Sequence, residues 1–189
     1  ALGDRLATLV SRQNHRIGTG FVGTPIILDA LTTTGHLEVA TALLLEPGCP
    51  SWLYPVTMGA TTVWERWDSM RPDGTVNTGT MTSFNHYAFG AVADWLHRTV
   101  AGLAPQAAGY REIRISPQPI SGLEHASARL DTPYGRAESG WRRRDDDSLT
   151  VYAVVPPNTE AHVRLPGAAA DLRVGSGSHQ WTVPIPSRG

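Results

Sequence analysis

Leu149-Thr150-Val151-Tyr152-Ala153-Val154-Val155 alternates along its length and is rich in β-branched residues, so every second side chain can face a core. It reads as a half-buried strand. Upstream, Ala126, Ala128 and Leu130 alternate in the same way. Between these runs, Arg136–Arg144 and the polar Asp145-Asp146-Asp147-Ser148 predict a hairpin whose mixed-charge tip, Arg142–Asp147, is a solvated one. Downstream, Pro156-Pro157-Asn158, Pro166-Gly167 and Gly175-Ser176-Gly177 punctuate further short strands around Ala161–Leu165, Leu172–Val174 and Trp181–Val183. The spacing predicts a small antiparallel β-sandwich.

Toward the N-terminus the period changes from two to that of a helix. Leu2, Leu6, Leu9 and Val10 recur at helical spacing with no N-cap before them, as though a helix were already under way. Thr24 and Pro25 supply an N-cap and a first-turn proline for a helix that carries Ile26, Ile27, Ala30 and Leu31 and stops at Gly35. A second helix with Leu37, Ala40, Leu43 and Leu44 ends at Glu46-Pro47-Gly48, forming a helical hairpin with the first. A longer helix is expected from Ser83 and Phe84, with Phe84, Ala88, Ala91, Val92, Trp95 and Val100 on one stripe. Gly102 to Gly109 has the composition of a helix stop and connector. The expectation is therefore an α + β, two-domain chain: 1–106 helical and 107–189 sandwich.

The 189 residues allow one ordinary domain or two small ones on a prior of roughly 100–200 residues each. With 16 basic and 17 acidic residues the net charge is −1, so no bulk positive field gathers polyanions and nucleic acid is not an expected partner. All basic residues are Arg. That excludes a lysine Schiff base, a lysine general base and a phosphate-loop lysine. Cys49 is alone, which rules out an intrachain disulfide and a cysteine-rich zinc site. No apolar run approaches the roughly 20 residues of a membrane span, and the first ten residues do not resemble a targeting signal.

Gly18-Thr19-Gly20-Phe21-Val22-Gly23 spells the dinucleotide fingerprint, but the residues before it do not form a strand and no βαβ alternation follows. A glycine-rich turn is expected. Trp52, Tyr54, Trp64 and Trp67 crowd into sixteen residues, either as packing or as walls of a sugar cleft, where indole faces stack on pyranose rings. Glu65, set between Trp64 and Trp67, is then solvent-facing, paired with Arg66 or another neighbour, or kept in a cleft for chemistry. Ser69 to Thr82 lacks apolar periodicity, the mark of a long loop of functional kind. Ser83-Phe84-Asn85-His86-Tyr87 would put an amide and an imidazole in the first turn of the next helix. His15, His36, His97, His125, His162 and His179 show no metal-ligand spacing, and neither a His-Glu-x-x-His nor a Gly-x-Ser-x-Gly motif occurs. No metal and no cofactor are expected.

Gly18–Pro25, Pro50-Ser-Trp-Leu-Tyr54, Gly59-Ala-Thr-Thr-Val-Trp64-Glu65-Arg66-Trp67-Asp68 and Ser83–Val92 resemble, in order and spacing, the C-terminal end of bacterial α-L-rhamnosidases of glycoside hydrolase family 78. The similarity continues through Ala108-Gly-Tyr110, Ile115-Ser-Pro117, Thr132-Pro-Tyr-Gly135, Trp141 and Val155-Pro-Pro-Asn158, over roughly residues 5–166. It implies the last helices of an (α/α)6 barrel followed by a C-terminal β-sandwich. It also implies that Glu65 is the general base of an inverting hydrolysis, that His86 contacts rhamnose, and that the substrates are L-rhamnose-containing glycosides. Trp52, Trp64 and Trp67 stay divided between stacking on sugar and core packing. The family's general acid belongs to an acidic motif upstream that this sequence does not contain, so the missing N-terminal part of the same enzyme is the expected partner, and the chain alone is expected to be inactive. Other readings are a non-catalytic carbohydrate-binding module, or another (α/α)6 glycosidase or phosphorylase.

Overall fold

A computed structural model describes residues 1–144 and 147–185. The chain divides into two compact units, 1–93 and 94 onward. The first unit is helical, with α1 at Leu2–Arg12, α2 at Thr24–Thr33, α3 at Leu37–Leu45 and the short α4 at Leu53–Thr57. Ala7 and Val10 of α1, Ile27, Leu28 and Leu31 of α2, and Ala40, Leu43 and Leu44 of α3 are buried, as their spacing requires. The α2 start differs from expectation. Gly23 occupies the cap position without a side-chain bond, and Thr24 is already helical, its hydroxyl turned back to Thr19. Gly35, at φ +86°, follows the helix end in the left-handed region that favours glycine. The Gly18–Gly23 segment is a turn running from the end of α1 into α2, with no strand in front of it.

The expected helix from Ser83 begins later. Residues 83–87 are irregular, and helical structure starts with a 3-10 turn at Ala88–Ala91, becomes α at Val92–Trp95 (α5) and widens to a π turn at Leu96–Val100. The cause is competing hydrogen bonds. Ser83 O accepts the Glu65 N–H and Phe84 O accepts the Thr62 hydroxyl, so the first two carbonyls that a helix from Ser83 would use are already occupied.

The second unit contains two four-stranded sheets. One has the order β1-β2-β6-β7 (Leu103–Pro105, Glu112–Ile115, Glu160–Val163, Leu172–Val174), the other β3-β4-β5-β8 (His125–Thr132, Gly135–Arg143, Ser148–Val155, Gly177–Pro184). Leu103–Pro105, which composition assigned to a connector, is an edge strand. Its three residues pair with β2, and Leu103 is fully buried. Pro105 fits there because an edge strand does not need every N–H. All pairings are antiparallel except β2 with β6. The β4–β5 hairpin forms as expected, although Asp145 and Asp146 at its tip lie outside the described residues.

Alternation along the strands builds the core. Ile113 and Ile115 of β2 and Ala161 and Val163 of β6 meet Ala137 of β4 and Ala153 and Val155 of β5, with Leu103 at one edge. Burying an aliphatic side chain of this size contributes about 1.5–3 kcal/mol. Trp141 and Ser139, on the same strand, do more than fill space. Trp141 Nε1 donates to Val100 O at 2.8 Å, and Ser139 Oγ donates to Ala101 O at 2.7 Å. These carbonyls stand at the end of the π turn, where no further helical N–H reaches them.

Candidate functional site

Two stretches far apart in sequence are laced together in the first unit. The Glu65 N–H donates to Ser83 O at 2.9 Å, the His86 N–H donates to Val63 O at 2.8 Å, and the Thr62 hydroxyl donates to Phe84 O. Glu65 and His86 thus sit on neighbouring segments that brace each other. The Glu65 carboxylate is aimed by the same lacing, because the Ser83 N–H donates to Oε2 at 3.1 Å. Its other oxygen accepts no hydrogen bond among the described residues.

Arg66 does not neutralise Glu65. Its guanidinium grips Asp68 with two bonds, Nε to Oδ1 at 2.6 Å and Nη2 to Oδ2 at 3.2 Å, while Nη1 reaches Thr80 O. Asn77 Nδ2 also donates to Asp68 Oδ2, at 2.9 Å. These contacts pin the loop at both ends. The loop itself is ordered: Met70 and Val76 form a β-bridge, Gly74 turns at φ +81°, and the hydroxyl and N–H of Thr75 both donate to Asp73, holding its carboxyl below the usual range.

His86 lies flat between two aromatic rings. Its centroid is 5.1 Å from Phe21 at 11° and 5.1 Å from Tyr87 at 12°. The Ala88 N–H donates to Nδ1 at 3.3 Å, which in a neutral ring leaves the proton on Nε2 as a donor. Phe21, Val22, Pro25, His86 and Tyr87 line a cavity of about 560 Å³. Phe21 and Tyr87 were not singled out by sequence. Tyr87 is 88% exposed, and Phe21 belongs to the glycine-rich turn whose only evident signal was a misleading one.

The tryptophans stand elsewhere. Trp64 is only 3% exposed and meets Phe84 edge to face. Trp67 stacks on Phe89 at 3.9 Å and 14°, Trp52 meets Trp67 edge-on, and Trp52 Nε1 donates to Phe89 O at 3.0 Å. With Val63 they line a second cavity, of about 220 Å³. Glu65 lines neither cavity. Beneath this aromatic layer, burial pushes the Tyr54 phenol up, and its hydroxyl donates to Met70 O at 2.8 Å. Burial, reinforced by the Asp68 charge, also raises the Cys49 thiol.

The second unit brings together one group that sequence spacing did not show. Glu112, Glu160 and His162 place ligand atoms within 4.8 Å of one another. Glu160 and His162 are two apart on β6, a weak signal without Glu112 from β2.

A family model described as the bacterial alpha-L-rhamnosidase 6 hairpin glycosidase domain matches residues 1–100, and one described as the bacterial alpha-L-rhamnosidase C-terminal domain matches residues 102–180. An α-L-rhamnosidase of Streptomyces avermitilis is 41% identical over 97% of this chain and 19% of its own length; one of Formosa agariphila is 41% identical over 86% and 17%. Among solved structures, native α-L-rhamnosidase from Aspergillus terreus aligns with a TM-score of 0.92 and 43% identity, over 96% of this chain and 21% of that one. The Streptomyces avermitilis enzyme complexed with L-rhamnose aligns with a TM-score of 0.88 and 41% identity, over 96% and 19%. The chain thus spans about a fifth of the length of the relatives it matches. Its helices correspond to a six-hairpin glycosidase domain and its sheets to the domain that follows, and on both matches the chain belongs to the bacterial α-L-rhamnosidase family.

Proposed function

We propose that this chain supplies the water-activating half of a site that removes terminal α-L-rhamnose from glycosides with inversion, the other half coming from the remainder of a longer enzyme. Glu65 takes a proton from water as the water oxygen bonds to the anomeric carbon. At the same time the bond to the leaving oxygen breaks, and that oxygen receives its proton from a general acid outside this chain, across a gap of about 6.5–9.5 Å. The observation that carries this reading is the Glu65 carboxylate itself: one oxygen is oriented by the Ser83 N–H, and Arg66, the nearest cation in sequence, is committed to Asp68. A base needs an oxygen lone pair that no cation holds.

His86 donates from Nε2 to a rhamnose hydroxyl, held in plane by Phe21 and Tyr87. Trp52 and Trp67 offer sugar-facing apolar surface in the smaller cavity, whereas Trp64 is a packing residue because its surface is already covered. In the longer enzyme, His86→Ala lowers kcat/KM for an aryl α-L-rhamnoside by about tenfold to a hundredfold, the worth of one hydrogen bond to a buried polar group. Steady-state kinetics check this, and an unchanged value removes His86 from the sugar site.

The reading as a whole is tested by proton NMR of the first product formed by the full-length enzyme. Inversion releases β-L-rhamnose before mutarotation. Initial release of the α anomer sinks the single-displacement mechanism, and a strict need for inorganic phosphate, with a sugar phosphate as product, replaces it with phosphorolysis.

A further inference from the structure

We propose that Glu112, Glu160 and His162 form a binding site for a divalent transition-metal ion on the outer face of the β1-β2-β6-β7 sheet. Ile113, Ala161 and Val163 point into the sandwich core, so alternation puts Glu112, Glu160 and His162 on the opposite face. The parallel register sets Glu112 directly beside Glu160, two carboxylates on adjacent strands, with His162 two residues further along β6. Like charges so placed repel unless a cation lies between them.

The imidazole is the telling group. His162 Nε2 is buried and makes no aligned hydrogen bond, although Glu112 Oε2 is 3.2 Å away and Glu160 Oε1 3.6 Å away. The ring nitrogen thus faces both carboxylates as an ion pair without an aligned bond to either, and an ion coordinated by all three groups would take the place of those pairs. Two donors on a tetrahedral ion at bond lengths of about 2.0–2.1 Å stand roughly 3.3 Å apart, between the two observed separations. A nitrogen among the donors favours a zinc-like ion over calcium or magnesium, which prefer oxygen alone. Glu112 and Glu160 also line a cavity of about 520 Å³, from which water can complete the coordination. Arg173 Nη1 donates to Glu160 Oε1 at 3.2 Å but is 68% exposed, so its guanidinium can turn away as an ion enters.

The experiment uses the full-length enzyme, stripped with a chelator, reloaded with Zn2+ and dialysed. Elemental analysis is expected to find about one more equivalent of zinc in the parent than in His162→Ala, with affinity at least about tenfold weaker in Glu112→Gln and Glu160→Gln, since even residues that only support a metal ligand cost tenfold or more. The two glutamine variants keep side-chain size, and circular dichroism confirms that all three are folded. X-ray absorption at the zinc edge then shows one nitrogen and two carboxylate donors lost together with His162. Equal zinc content and affinity in the parent and all three variants overturns the site. So does a parent that takes up no zinc. Neither result bears on Glu65, which lies in the other unit.

Discussion

In the full-length enzyme, Glu65→Gln lowers kcat for an aryl α-L-rhamnoside by about 10³ to 10⁴-fold, at the upper end of what a positioned general base contributes. The amide oxygen can still accept from the Ser83 N–H, and the Glu65 and His86 amides still lace the two segments, so the variant folds as the parent does. What disappears is the carboxylate lone pair that takes the proton in the proposed mechanism. KM changes little, because the lost interaction belongs to the transition state rather than to bound substrate. The truncated Glu65→Ala leaves room for a small anion, and azide restores turnover as a β-L-rhamnosyl azide, since the anion attacks without a base. Activity of Glu65→Gln within tenfold of the parent takes Glu65 out of the mechanism.

Trp141→Ala destabilises the second unit by about 3–5 kcal/mol, the cost of truncating a large buried aromatic. Trp141 is 1% exposed, and the Arg143 guanidinium lies 5.8 Å from its ring. The melting temperature of that unit falls by about 12–40 °C, measured by calorimetry. Trp141→Phe separates packing from hydrogen bonding. It keeps an aromatic ring but leaves Val100 O without its donor, a loss of about 1–3 kcal/mol for a buried carbonyl. If Trp141→Phe is as stable as the parent, the indole N–H contributes packing alone.

The strands were legible wherever alternation ran for several residues, as in Leu149–Val155 and Ala126–Leu130, because one covered face imposes period two on a local stretch. The short β1 was not legible, since three residues ending in proline look like a connector and only pairing with β2 reveals them. Residues 83–87 misled for a similar reason. Their spacing permits a helix, and the groups that occupy its first carbonyls, the Glu65 N–H and the Thr62 hydroxyl, are remote in sequence. Glu65 itself was ambiguous from composition, and the motif around it supplied its expected role. The structure added that Arg66 belongs to Asp68. The nearness of Glu112 to His162 depends on the one parallel pairing among the described strands, which no local pattern announces.

The bonds from Ser139 and Trp141 to the carbonyls of Ala101 and Val100 bear on where such a chain can be cut and rejoined. The two family models meet near residue 101, a tempting exchange point for recombination between relatives. A crossover there would take two buried side-chain donors from one parent and the helix end that places their main-chain acceptors from the other, so the bonds last only where that helix end keeps its geometry. A crossover before Asp94 keeps donors and helix end from the same parent, and the unit that contains the sandwich then begins before the first strand, inside a helix.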